Sequence, residues 1–560
     1  MLSREGLSAH KKTIVLLLPL PIFECNDFIV FEAVSHRSRV PHMTNVPTEV
    51  ISTLSERPFR QQAPDLKTLT YSGGALLFAS AIGNGLNYVF GIFLARSLGG
   101  EDFGLYALAL TIFNILMLSV VFGMDNGAIK FISHYLAEGQ RAKAGATLLA
   151  TAIIAFAAGI IAAIGLALSA DTLSTAVYDK PTLSTSLLFF AAALPFATVA
   201  IVLLSASQAF QTVRYTILIK YLWEPIAKFV FAGMFLWAGY QLYGVLIAII
   251  LTFATSAVLT IRAVSWLAFR EATISPGWNK QDVKTLLAYC LPLAISNLFG
   301  VVAPRSDILI LGYWADAREV GIYLAAFQTA AIMALVLGAF NTALAPIISR
   351  AWSQQDKPRL KSSYQAVSRL SATVSFPIFC TLILFTDEIL FLFGSTFVTG
   401  AAVLTILAIG QVFNSATGAA NTILLMSGHS RIVMTNTIVM GVVLLLATAT
   451  IIPLWGMTGA AIAASATFIL TNVVRVLQVW RLHQVQPYTW SLMKPLVAGG
   501  VATTIIVAMQ QTNIEISSFV LAFALGLLYL GGLLALGINQ EDRFVFQSLT
   551  EKVRSFARVE

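Results

Sequence analysis

Three ionisable side chains at helical spacing mark where this chain could do chemistry: Lys220, Glu224 and Lys228, at i, i+4 and i+8 in an apolar stretch at about 216–238. At this spacing they fan over roughly 80° of one helix face, and Lys228 lies about 12 Å deeper than Lys220 at 1.5 Å per residue. A charge near the middle of a bilayer costs roughly 2.5–3.5 kcal/mol, so such groups either face something polar or neutralise one another. One carboxylate against two ammonium groups leaves a net positive charge, even if Lys220 snorkels to the membrane surface and the row is otherwise self-neutralising. The arrangement is suited to holding an anion, with Glu224 as counter-ion or coupling group.

A second pair, Arg305 and Asp307, follows Pro304 in the apolar segment 286–312. Residues two apart on a regular helix point about 200° apart, so the two pair directly only if Pro304 breaks the helix. Arg305 is read as a cavity-facing cation, and Asp307 as its counter-ion or a coupling-ion site. A salt bridge between helices is the alternative. Ser80, Asn84 and Asn87, at i, i+4 and i+7, predict a polar stripe on the first apolar segment, and Asn297 adds an amide to 286–312. Such amides either line a cavity or join helices, a contact worth about 0.6 kcal/mol.

Other chemistries find little support. Cys25, Cys290 and Cys380 are scattered, and the six histidines all fall outside the apolar segments. No metal site, cofactor site, phosphate loop or nucleophile–base constellation is predicted, so no enzyme is expected.

The elements that position these groups must be membrane helices. The chain has 560 residues, 57% hydrophobic and only 11% charged, with mean hydropathy +0.80, which excludes an ordinary soluble protein. The predicted fold class is an all-α polytopic membrane protein with about fourteen transmembrane helices. The formal charge of +8 does not point to nucleic acid, because the basic residues sit in alternate connectors: Lys130, Arg141 and Lys143; Arg270, Lys280 and Lys284; Lys357, Arg359 and Lys361. That is the positive-inside pattern, and it puts both termini in the cytoplasm. The intervening connectors carry little beyond Arg96, Lys180 and Arg318.

The chain also repeats itself. Ala315 to Ala325 lies over Leu98 to Leu108, each with an acidic residue, one apolar residue, Gly, one apolar residue and Tyr, and Gly459 opens a segment as Gly244 does. Two six-helix units inserted the same way up are expected, related by an axis along the membrane normal. The predicted organisation is a cytoplasmic tail at 1–66, a first lobe at 67–264, a cytoplasmic linker at 265–285, a second lobe at 286–482, two extra helices at 483–540, and a cytoplasmic tail at 541–560. Translation beginning at Met43 is the plainer account of the first forty-odd residues.

Leu94 to Tyr106, together with Pro453 to Ala463, resembles the polysaccharide-export branch of the multidrug/oligosaccharidyl-lipid/polysaccharide (MOP) transporter superfamily, which includes Wzx-type flippases. The resemblance covers about residues 68 to 540. It implies two six-helix lobes, alternating access, and movement of an undecaprenyl-diphosphate-linked oligosaccharide, an O-antigen or exopolysaccharide repeat unit, from the inner to the outer leaflet of a bacterial inner membrane. On that reading Lys220, Lys228 and Arg305 would meet the diphosphate, and Ser80, Asn84, Asn87 and Asn297 the sugars. The expected partners are the lipid-linked oligosaccharide, membrane lipid and other polysaccharide-assembly proteins, and the expected state is a monomer. A multidrug or cation antiporter and a lipid II flippase are the alternatives within the superfamily. A membrane glycosyltransferase would need a sizeable outward loop, which the sequence lacks.

Overall fold

The computed structural model describes residues 66–271, 280–511 and 517–537, and these are helical throughout, with no β-strand among them. The tail at 1–65 with Met43, much of the linker and the C-terminal tail lie outside the described residues. In chain order the helices are α1 (Leu66–Val120), α2 (Met124–Ala137), α3 (Arg141–Asp171), α4 (Thr182–Ala209), α5 (Glu224–Trp237), α6 (Gln241–Glu271), α7 (Lys280–Val302), α8 (Ser306–Trp314) and α9 (Ala317–Ser353). They continue with α10 (Lys357–Leu384), α11 (Thr386–Phe391), α12 (Ala401–Thr417), α13 (Ala420–Met426), α14 (Ser430–His483), α15 (Met493–Gln510) and α16 (Ser518–Ala535).

Ten helical stretches among the described residues are long and apolar enough to cross a membrane. Two of them far exceed the ~20 residues that cross about 30 Å of hydrocarbon, and each leaves helical geometry at a glycine. In α1 the break is Gly99 (φ 79°, ψ 179°). In α14 it is Gly456 (φ 52°, ψ −135°). Both glycines fall where the sequence placed a connector, and positive φ is cheap only without a Cβ. Two other apolar segments are composites of shorter pieces: a π-helical run Thr216–Trp223 leads into α5, and a 3-10 turn Ala303–Arg305 joins α7 to α8.

Helices α3 to α6 pack on one another, as do α9, α10, α12 and α14, and α1 against α9 is the main contact between the two sets. One large core runs through both, from Leu94, Phe103 and Phe113 to Tyr323, Phe393 and Phe397. Helices α15 and α16 pair with each other and pack on α10, burying Cys380, Ala502, Leu525 and Tyr529. Large apolar side chains also face outward, among them Ile161, Leu168, Phe519 and Phe523. Hydrocarbon rather than water is the solvent such a surface suits.

Candidate functional site

The charged stripe begins in the π-helical run. Lys220 lies in that run and is exposed, its ammonium 5.9 Å from the Tyr221 ring centre. Regular helix resumes at Glu224, with Pro225 in its first turn, where its missing N–H costs nothing. The winding therefore changes just before Pro225.

Glu224 and Lys228 are enclosed by protein on nearly all sides, yet both keep some accessible surface. Lys228 Nζ donates to Asn87 Oδ1 at 3.1 Å, and Asn87 Nδ2 donates to Gly83 O at 2.8 Å. The amide thus has its own orientation set by the helix while its oxygen faces the ammonium. Close approach of α1 to the π-helical run depends on Gly83, since a Cβ there would lie 2.8 Å from Tyr221 O. Phe90 and Phe229 seal the contact further along, edge to face at 5.2 Å between centroids.

Of the rest of the polar stripe, Ser80 donates to Leu77 O at 2.8 Å and Asn84 is exposed. Asn297 lies on α7, and its side chain is outside the described residues. Glu224 faces Lys228, Lys220 and Ser256, but no N···O separation of 4 Å or less joins it to either lysine among the described residues. Behind it, Thr252, Ser256 and Thr260 form a fully buried hydroxyl row on α6. Thr252 donates to its own helix at Ala248 O, Ser256 lies toward Glu224, and Thr260 Oγ1 has no hydrogen-bond partner among the described residues. Sequence reading missed this row, although its i, i+4, i+8 spacing was visible.

The second pair separates. The 3-10 turn does break the helix at Pro304, but Asp307 turns inward to a buried position and accepts the Tyr323 hydroxyl at 2.6 Å and the Ile308 N–H at 2.7 Å. Arg305 is half-buried and feels Asp307 only at a distance; no hydrogen bond or ion pair holds it among the described residues. No such contact links it to Lys220, Glu224 or Lys228. Asp307 lines a separate cavity of about 160 Å³ with Phe327, Asn436, Gly441 and Arg475. Arg475 was missed in the sequence because it lies inside an otherwise apolar segment; its Nε is buried without a hydrogen-bond partner among the described residues. Neighbouring amides are well satisfied: Asn436 and Gln478 exchange two hydrogen bonds, and Asn472 joins Asn414 to Thr417.

The three cations that depart from the positive-inside pattern all join one half of the chain to the other. Arg96 donates to Leu392 O at 2.8 Å and Phe391 O at 3.2 Å. Lys180 donates to Gly312 O at 2.8 Å and Tyr178 O at 3.1 Å. Partial burial pushes the Lys180 amine below the usual lysine range, against the opposing effect of Asp316 and Asp179. Arg318 lays its stem over Gly100, whose Cβ would lie 3.2 Å from Arg318 Cγ.

Residues 70–352, about half of the chain, match the family described as polysaccharide biosynthesis protein, and residues 292–470 match the MatE family. The probable low-salt glycan biosynthesis flippase Agl15 of Haloferax volcanii is 22% identical over 415 residues, which are 72% of this chain and 82% of that protein. Among solved structures, the lipid II flippase MurJ in an inward closed conformation has a TM-score of 0.63 at 14% identity, covering 80% of this chain and 97% of MurJ. An inward-facing multidrug resistance MATE family transporter of the MOP superfamily gives 0.61 at 15% identity, covering 71% of this chain and 94% of that transporter. The all-helical fold, the many apolar helices and the family match agree: the chain belongs to the polysaccharide biosynthesis protein family, a multipass membrane transporter of the MOP type rather than an enzyme.

Proposed function

We propose that the protein flips an undecaprenyl-diphosphate-linked oligosaccharide, an O-antigen or exopolysaccharide repeat unit, from the inner to the outer leaflet of a bacterial inner membrane. The observation that carries this reading is the Lys228–Asn87 contact: a deep ammonium that keeps accessible surface and is held by an amide rather than by a carboxylate. An amide orients the ammonium without cancelling its charge, and Lys220 sets a second cation against the Glu224 carboxylate, so an incoming anion would meet a stripe of net positive charge. Arg305, with no hydrogen bond or ion pair among the described residues, is the second diphosphate contact. Lys220 is the entry cation near the basic end, Ser80, Asn84, Asn87 and Asn297 are sugar contacts, and Glu224 and Asp307 are the counter-ion or coupling groups.

The lobes at 67–264 and 286–482 would rock about the α1–α9 contact, the linker at 265–285 joining them, with 483–540 as two added helices. In the closed form the Arg96, Lys180 and Arg318 contacts would shut the outer side, both termini being cytoplasmic. The chain would act as a monomer that meets other polysaccharide-assembly proteins.

Transport of a fluorescent undecaprenyl-diphosphate-linked oligosaccharide between leaflets of proteoliposomes tests this, comparing the intact protein with Lys228→Ala and Arg305→Ala at matched insertion. Flipping by the intact protein and its loss in both variants is the expected result. Export of an organic cation against a proton or sodium gradient, with no movement of lipid-linked sugar, would replace the proposal with an antiporter.

A further inference from the structure

Where the end of α10, the short helix α11 and the start of α16 meet lies a groove of about 640 Å³, apart from both polar regions described above. Its walls are mainly apolar, with Phe385, Ile389, Phe391, Val398 and Phe519 among them. Phe391 and Phe519 are 53% and 80% exposed, a surface that hydrocarbon rather than water suits. Two carboxylates, Asp387 and Glu388, line the same groove, and no cation is among the described residues that line it. Glu388 Oε1 accepts the Ser518 hydroxyl at 2.8 Å, tying α11 to α16. A single hydroxyl leaves a carboxylate with further lone pairs to offer. Asp387 makes no hydrogen bond or ion pair among the described residues. Arg96 stands 5.7 Å from the Phe391 ring centre, but it donates to Leu392 O and Phe391 O. No N···O separation of 4 Å or less joins it to either acid among the described residues.

The acids lie at helix ends, α11 following directly on α10 and Ser518 opening α16. That is the level at which headgroups rather than acyl chains surround a membrane helix. Charge complementarity selects an occupant with an apolar chain and a cationic head, because an anionic head would be repelled by two unpaired carboxylates. A primary ammonium has three N–H donors, enough to reach both acids, and charge-assisted bonds of this kind are the strong ones. We propose that the groove is a binding site for a phospholipid with a primary-ammonium headgroup. Its ammonium would lie at Asp387 and Glu388, and an acyl chain along Phe385, Ile389 and Phe519. The proposal does not depend on what the transporter carries.

Asp387→Asn is a clean variant, because it removes a charge without breaking a hydrogen bond among the described residues, and Glu388→Gln keeps an acceptor for Ser518. Ala522 lines the groove, so Ala522→Phe would fill it. Native mass spectrometry of the full chain released from detergent micelles would compare phosphatidylethanolamine, phosphatidylcholine and phosphatidylglycerol at equal concentrations. The parent protein should retain phosphatidylethanolamine over the other two by about tenfold. The double change Asp387→Asn with Glu388→Gln, at unchanged melting temperature, should bring the three lipids level, and Ala522→Phe should reduce retention of phosphatidylethanolamine. Equal retention of phosphatidylethanolamine and phosphatidylglycerol by the parent overturns the proposal. So does a phosphatidylethanolamine preference that survives the double change. Phosphatidylcholine held as firmly as phosphatidylethanolamine also overturns it, since a trimethylated head carries the charge but has no N–H to donate.

Discussion

Gly104 and Gly321 occupy the same place in the two copies of the repeated segment and pack directly on each other. A Cβ on Gly104 would lie 1.6 Å from Ala317 O, and one on Gly321 would lie 2.7 Å from Gly100 O. Ala317 aligns with Gly100, so corresponding residues make the same contact in both directions, as across a two-fold axis. Parallel repeats related by an axis along the membrane normal would meet in this way. The contact joins the two copies of the segment at close backbone range.

Gly104→Ala should therefore lower stability by about 1–3 kcal/mol, since the new methyl meets backbone rather than a movable side chain. Gly85→Ala is the control: it lies on the same helix, a Cβ there meets nothing within 4 Å, and helix propensity favours the change by up to about 1 kcal/mol. Thermal unfolding in detergent, followed by loss of monodisperse protein, checks both. Equal melting temperatures for the two variants would contradict the close packing.

Asn87 separates charge from fold. Asn87→Leu removes the acceptor of Lys228 Nζ and should cost about 1–3 kcal/mol by leaving a buried donor unmet. Asn87→Asp gives the ammonium a carboxylate partner, so it should keep the fold while cutting flipping of a lipid diphosphate, its net cation now cancelled. Full transport by Asn87→Asp would show that the charge of Lys228 does not serve the substrate.

Tyr323→Phe should destabilise more than an ordinary surface change, by about 1–3 kcal/mol, because the Asp307 carboxylate loses its 2.6 Å hydroxyl donor in a buried site. Asp307→Asn in the Tyr323→Phe background should recover part of the loss. A double-mutant cycle read by unfolding measures this coupling, and simple additivity would exclude it.

Lys180 predicts a pH dependence. Its folded value lies below the ordinary lysine value, so between the two the unfolded chain holds more protons than the folded one. Stability contributed through this group then rises with pH across that window and is lowest below it. Lys180→Met removes both the slope and the bond to Gly312 O. Melting profiles over the alkaline range should be flatter for the variant; identical slopes would place the amine in water.

The sequence alone determined the class of the molecule and many of its parts. Apolar runs near the length of a bilayer crossing, basic residues in alternate connectors, the repeated acidic-x-Gly-x-Tyr segment and the charged stripe are all local patterns, and local patterns survive in one dimension. Glycine breaks at Gly99 and Gly456 fell at expected connectors because only glycine takes positive φ without strain. Tertiary structure decided which polar groups meet. Lys228 and Asn87 are 141 residues apart, and nothing in either segment names the other. Asp307 meets Tyr323 rather than Arg305 because the break at Pro304 does not bring the two side chains together, an outcome that depends on packing. Ser256, Thr260 and Arg475 went unnoticed for a related reason. A hydroxyl in a membrane helix is usually satisfied by its own backbone, and a lone arginine in an apolar run is usually discounted, so what surrounds these groups appears only when neighbouring helices close around them.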